Sequence, residues 1–221
     1  MTIDYNDLAK IGSVLKQHPE MNVDFMTSGQ LKSKLWLIEE LNKFSFFDPV
    51  TIFVMAGWYG MLPYMLFRHN WDNFNIEKIR SFDVDPECQP IADLLNDKYI
   101  NGWKFKASTA DINRLYWDKE GFCTYQTNKP DNTTQKLYDK PDIIINTSCE
   151  HIDHFQFWLG GLPKDTLLVL QSNDLEIDEH INRATSICEF EDQTNLSKVY
   201  FSGKLTLSEA GYTRYMIIGE K

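Results

Sequence analysis

Cysteine is scarce and scattered in this chain. Cys88, Cys123, Cys149 and Cys188 form no CxxC pair, which argues against a zinc ribbon or a compact disulfide framework and fits a reduced intracellular compartment. No stretch is apolar for long enough to cross a bilayer. The opening residues, MTIDYNDLAKIGS, have neither the basic start nor the apolar run of a secretory signal, so a soluble cytoplasmic protein is expected.

Basic residues are also in short supply. Against 32 Asp and Glu stand only 22 Lys and Arg, a net charge of -10 at pH 7. Such a surface repels a phosphate backbone, so nucleic acid is not the expected partner, although a local basic cleft can survive on an acidic protein. What is not lacking is apolar material: 43% of the residues are hydrophobic and 14% aromatic, enough for a self-supporting core in 221 residues.

The distribution of that material defines the fold class. Residues 1–46 are expected to form an N-terminal helical cap, since Leu31, Leu35, Ile38 and Leu41 recur at helical spacing behind Thr27 or Ser28 as N-cap. From Pro49 the pattern becomes alternating strands and helices. Thr51–Val54 reads as a buried strand that ends in AGWYG and feeds the helix MLPYMLFRH, with Pro63 in its first turn. Lys78–Phe82, Lys104–Ser108, Asp142–Asn146 and Thr166–Leu170 read as further strands. Helices are expected at Glu87–Asp97 and at His151–Leu159.

Val199–Leu207 and Tyr212–Gly219 are separated by four residues, enough for a hairpin and too few for a crossover. The expected architecture is therefore α/β, a three-layer Rossmann-like sandwich over residues 47–221. Its sheet is mostly parallel and seven-stranded, with an antiparallel C-terminal hairpin. Residues 113–140, polar and turn-rich, exceed an ordinary connection and are expected to be a functional loop or an insertion.

Ligands in such sheets collect at the carboxyl ends of the strands, so those ends carry the candidate residues. The first strand ends in Ala56, Gly57, Trp58, Tyr59 and Gly60, where glycine permits close approach of a ligand to backbone N–H groups. A tight turn with no ligand would use the same residues. The second strand ends in Asp83, Val84 and Asp85; an acid there can accept both hydroxyls of a ribose, or merely cap the next helix. Ala110 and Asp111 follow the third strand, and Asp111 is a candidate acceptor for an adenine amine or an N-cap. Asn146, Thr147, Ser148, Cys149, Glu150 and His151 give the apolar fourth strand a polar end.

Two other chemistries touch that last cluster. Cys149 beside His151 suggests a thiol nucleophile, but no glycine elbow or oxyanion arrangement accompanies it. His151 and His154, at i,i+3 on the expected helix, are a potential metal-binding pair, with Glu150, Asp153 or His180 as assisting ligands. The pair alone is too few ligands, and no metal is expected.

Taken in order, VTIFVMAGWYG, RSFDVDP, STAD and PDIIINTS, followed by the hairpin VYFSGKLTL and YTRYMIIGEK, resemble the class I S-adenosylmethionine-dependent methyltransferases. The resemblance covers residues 49–221 apart from the segment 113–140. It implies S-adenosylmethionine as cofactor, with Gly57 and Gly60 under its methionine part, Asp83 on its ribose, and Ala110 and Asp111 facing adenine. Ala56, Trp58, Tyr59, Val84 and Thr147 would complete the cofactor contacts. Asn146, Glu150 and His151 would border the transferred methyl group and are the catalytic candidates. The chain departs from that family's pattern in having Met55 where an acid usually stands and in reducing GxGxG to GxxG.

The expected activity is methyl transfer to a small-molecule acceptor, or to a protein. Transfer of the cofactor's aminocarboxypropyl group, cofactor cleavage, and a non-catalytic module of the same fold are the alternatives. An NAD-dependent dehydrogenase is disfavoured because AGWYGML does not supply GxGxxG.

Overall fold

The structure is a computed structural model and describes residues 4–129 and 133–221. Residues 1–3 of the expected N-terminal cap and 130–132 of the expected insertion lie outside the described residues. Two helices come first, α1 (Tyr5–Gln17) and α2 (Ser28–Leu41). Thr27 caps α2 by accepting the N–H of Gln30. The alternating part then runs β1 (Val50–Met55), α3 (Met61–Arg68), β2 (Ile76–Asp83), α4 (Cys88–Leu95) and β3 (Phe105–Thr109).

The segment after β3 is not a loop. It forms β4 (Tyr116–Trp117), β5 (Cys123–Asn128) and β6 (Thr134–Asp139), a separate antiparallel sheet. The main sheet resumes with β7 (Ile143–Asn146), followed by α5 (Phe155–Gly161), β8 (Leu167–Asn173), α6 (Ile187–Thr194), β9 (Lys198–Leu207) and β10 (Tyr212–Glu220).

The main sheet has seven strands in the order β3-β2-β1-β7-β8-β10-β9. Strands β3, β2, β1, β7 and β8 are mutually parallel, and β10 is antiparallel to both β8 and β9. This is the expected Rossmann-like sheet with its terminal hairpin. Chain order reverses between β1 and β7, where Met55 faces Asn146, so the ligand-accepting crevice of this topology opens beside those two strand ends.

Period-two alternation divides the core. Ile52 and Val54 of β1, Ile143 and Ile145 of β7 and Met216 and Ile218 of β10 face one way, against α1, α2, α3 and α4. Phe53, Ile144, Leu168 and Ile217 face the other way, against α5, α6 and the small sheet. The small sheet thus occupies a place that a crossover helix would fill. Asp139 of β6 fastens it, accepting from Arg80 Nε at 2.9 Å, Lys78 Nζ at 3.0 Å and the Tyr125 hydroxyl at 2.6 Å. Burial alone would raise the Asp139 pKa, but the Tyr125 hydroxyl and the Arg80 guanidinium outweigh it and hold the carboxyl below its usual range.

One sequence expectation is widened by the structure and one needs correction. The buried face of α2 is Ser33, Lys34, Leu37, Ile38 and Leu41, with Leu31 and Leu35 only half-buried. The helix is turned so that the Ser33 hydroxyl can donate to Gln171 Oε1 of β8 at 2.8 Å. The expected helix His151–Leu159 is also broken: a single 3-10 turn, Cys149–His151, is followed by α5 only from Phe155. Asn182 explains the break. Its N–H takes the Glu150 carbonyl at 2.9 Å and its side-chain amide takes the Ile152 carbonyl, the acceptors a continuous helix would need.

Candidate functional site

A cavity of about 690 Å3 lies at the crevice defined by the strand reversal, a volume in the range of small-molecule sites. One wall is the turn after β1 with the end of β2. Ala56, Trp58 and Gly60 have φ of 51°, 49° and 74°, whereas Gly57 and Tyr59 between them are not left-handed. Within the turn the Gly57 N–H donates to the Phe82 carbonyl at 2.9 Å, the Trp58 N–H to the Asp83 carboxylate at 2.7 Å and the Gly60 N–H to the Gly57 carbonyl at 3.0 Å. Two non-glycine residues in the left-handed region within one short turn are uncommon, and such strain collects at ligand sites.

Each glycine of that turn has its own reason. A Cβ on Gly57 would meet Ser81 Oγ at 2.0 Å, so the turn crosses β2 at backbone contact. A Cβ on Gly60 would press on Ala92 Cβ and Asn96 Nδ2, both at 2.9 Å. Gly60 therefore seats α3 on α4 and does not line the cavity, which Ala56, Gly57, Trp58 and Tyr59 do.

Asp83 and Val84 line the cavity beside this turn. Asp83 accepts the Trp58 N–H at 2.7 Å and the Asp85 N–H at 3.1 Å. Burial nevertheless prevails over these bonds and raises its pKa. Ala110 and Asp111 stand on the same edge, tied to it by the Ala110 N–H donated to the Asp83 carbonyl at 2.7 Å, but neither lines the cavity. Asp111 accepts the Asn113 N–H at 2.9 Å as cap of a 3-10 turn and pairs with Arg114 at 3.3 Å.

The facing wall comes from the polar end of β7. Thr147, Glu150 and His151 line the cavity, while Asn146 is fully buried behind them and receives the Ser148 N–H on Oδ1 at 2.9 Å. Cys149 is buried and its thiol pKa is pushed well up by burial, which removes the thiolate that a cysteine nucleophile requires. His154 is exposed, with left-handed backbone at the N-cap of α5, and shares no helix face with His151. His180 is the histidine that meets His151, edge to face with ring centroids 4.6 Å apart.

The floor holds charged groups that sequence reasoning did not single out. Arg214 of β10 is buried, donates to the Thr147 carbonyl at 2.7 Å and lies 3.4 Å from Glu150 Oε1. The side-chain amide of Asn173, the last residue of β8, donates to the same Glu150 oxygen. Lys34 of α2 lines the cavity and donates to Gln30 at 2.6 Å. Burial, reinforced by repulsion from Arg214, lowers its pKa to about 7. Signals for these residues existed: a polar QSN end to the apolar β8, an arginine inside the apolar run of β10, and a lysine among the leucines of α2.

Solved methyltransferase structures have a similar fold. They share it across nearly the whole chain at very low sequence identity. The magnesium protoporphyrin IX methyltransferase ChlM from Synechocystis PCC 6803, with bound S-adenosylhomocysteine, has a TM-score of 0.60 at 9% identity, covering 98% of this chain and 95% of its own. The N-methyltransferase NodS from Bradyrhizobium japonicum WM9, in complex with S-adenosylhomocysteine, gives 0.56 at 11%, with 99% of each chain covered. The 1,6-didemethyltoxoflavin-N1-methyltransferase of Burkholderia thailandensis gives 0.57 at 12%, covering 100% of this chain and 91% of its own. No protein-family model matches the sequence, and no curated protein does. Among the described residues no helix is long and apolar enough to cross a membrane.

Proposed function

We propose that this chain binds S-adenosylmethionine in the crevice between β1 and β7 and transfers its methyl group to a small-molecule acceptor. The observation that carries the reading is a roomy cavity at the strand reversal, flanked by a left-handed glycine turn and by Asp83. The residues fit such a cofactor. An ionised carboxylate has about four acceptor positions, so Asp83 can take two ribose hydroxyls while keeping Trp58 and Asp85. Lys34 lines the same cavity and would donate to the carboxylate of the methionine part.

Bound S-adenosylmethionine supplies an electrophilic methyl carbon on a sulfonium. The chain's share of an in-line displacement is then alignment and removal of water. Thr147, Glu150 and His151 border the acceptor's space, with Asn146 bracing them from behind through Ser148. Val84 would border the nucleoside from the cavity wall, and Ala110 and Asp111, on the same sheet edge but outside the cavity lining, would flank its adenine end. The net charge of -10 favours a small acceptor over nucleic acid, and a cytoplasmic setting accords with the three buried unpaired thiols.

Calorimetry with S-adenosylhomocysteine tests the reading directly. One molecule is expected to bind per chain, and turnover with a library of small acceptors is expected to release S-adenosylhomocysteine. Absence of binding would leave a scaffold without the activity. Release of methylthioadenosine in its place would indicate transfer of the aminocarboxypropyl group or cleavage.

A further inference from the structure

Glu150, His151 and His180 form a cluster that methyl transfer alone does not require. One donor atom from each lies within 4.8 Å of the others. Ligands about 2.1 Å from a tetrahedral cation stand roughly 3.4 Å apart, so closure asks for about an ångström of movement, which the exposed His151 ring can supply.

The tautomers are already set. His151 Nδ1 lies 3.1 Å from the Glu179 carbonyl and His180 Nδ1 lies 2.8 Å from the Leu175 carbonyl. A carbonyl only accepts, so in each neutral ring the proton sits on Nδ1 and the lone pair on Nε2. Backbone carbonyls fix metal-binding histidines in this manner. An independent observation comes from the acid. Glu150 is 2% exposed, and while Asn173 and Arg214 serve its Oε1, its Oε2 is buried with no partner. A carboxylate oxygen shut away from water without a donor costs free energy that a cation would recover.

We infer that Glu150, His151 and His180 bind a divalent first-row cation of the zinc class at the acceptor end of the cavity. Two imidazole nitrogens and one carboxylate oxygen suit such an ion and leave a coordination position open. All three residues line the cavity, so the open position is available to an oxygen of the acceptor. The consequence for the acceptor rests on the methyl-transfer reading, whereas cation binding does not. Held there, the cation would lower the pKa of a bound hydroxyl, so that the acceptor needs no side-chain base.

The test uses the full chain, stripped with a chelator and dialysed against Zn2+ or, separately, Co2+. One equivalent per chain is expected, with visible Co2+ absorption bands, and Glu150→Gln or His180→Asn is expected to weaken binding at least about tenfold. His180 lies outside the Glu150–Arg214 contact, so its variant keeps the test independent of any folding defect at Glu150. Undiminished binding in His180→Asn, or no Zn2+ or Co2+ bound by the wild-type chain, overturns the proposal. Calorimetry with S-adenosylhomocysteine on the same samples separates the two readings: cation without nucleoside sinks methyl transfer alone, and nucleoside without cation sinks this site alone.

Discussion

Asp83 and Trp58, twenty-five residues apart, are joined by a 2.7 Å hydrogen bond from the Trp58 backbone N–H to the Asp83 carboxylate. The acid at the end of β2 thereby holds open a left-handed residue of the turn after β1. Two variants divide its structural role from ligand binding. Asp83→Asn keeps an acceptor for Trp58 and should unfold in urea close to wild type, whereas Asp83→Ala should lose about 1 kcal/mol. Both should bind S-adenosylhomocysteine at least about tenfold more weakly, because a charged acceptor for ribose is gone. Wild-type affinity in both variants would sink the ribose role.

Gly57 offers a steric test. Gly57→Ala brings a methyl against Ser81 Oγ and is expected to cost about 1–3 kcal/mol by overpacking. Ser81→Ala removes the clashing atom, so the double variant should recover most of that loss in denaturant titrations. If the two costs simply add, the strain lies elsewhere.

Arg214 and Glu150 form a pair whose side chains are each under 5% exposed. Removing one partner strands the other charge. Arg214→Met should therefore cost about 3–5 kcal/mol, and Arg214→Met with Glu150→Gln appreciably less. Equal losses in the single and double variants would mean that the ion pair is energetically unimportant.

Lys34 makes stability depend on pH. Its folded pKa is about 7 against 10.5 for the free side chain, so between these values the unfolded chain binds more protons. Stability should rise with pH across that window, by up to about 1.4 kcal/mol per unit, and the burial penalty should be fully present below pH 7. Lys34→Met should flatten the profile between pH 7 and 9 and stabilise the protein most at the acid end. A profile unchanged by the substitution would show that the ammonium is solvated.

The middle of the main sheet was readable because β1, β7 and the start of β8 are near-continuous apolar runs. Thr51–Val54 and Asp142–Asn146 lie within a residue of β1 and β7, and the Ser208–Gly211 link behaved as a hairpin. The small sheet was not readable, since Cys123–Asn128 and Thr134–Asp139 are mostly polar without an apolar run and gain their identity from packing Tyr125 on Phe53 and Phe82. The site divides in the same way. Asp83 and the glycine turn announce themselves at strand ends, whereas Asn173 and Arg214 meet through the antiparallel pairing of β8 with β10, and Lys34 and His180 reach the same cavity from a helix and a loop distant in sequence. The helix drawn through His151 failed because Asn182, thirty-one residues away, took its carbonyls.

The attachment of the small sheet through Asp139 bears on how this protein can change over time. Its base is not an ornament. A shortcut bridging β3 directly to β7 would remove the carboxylate that partners Arg80 together with the layer that keeps its guanidinium only 3% exposed. Loss of the sheet would thus change both the charge balance and the solvent cover of this face at once.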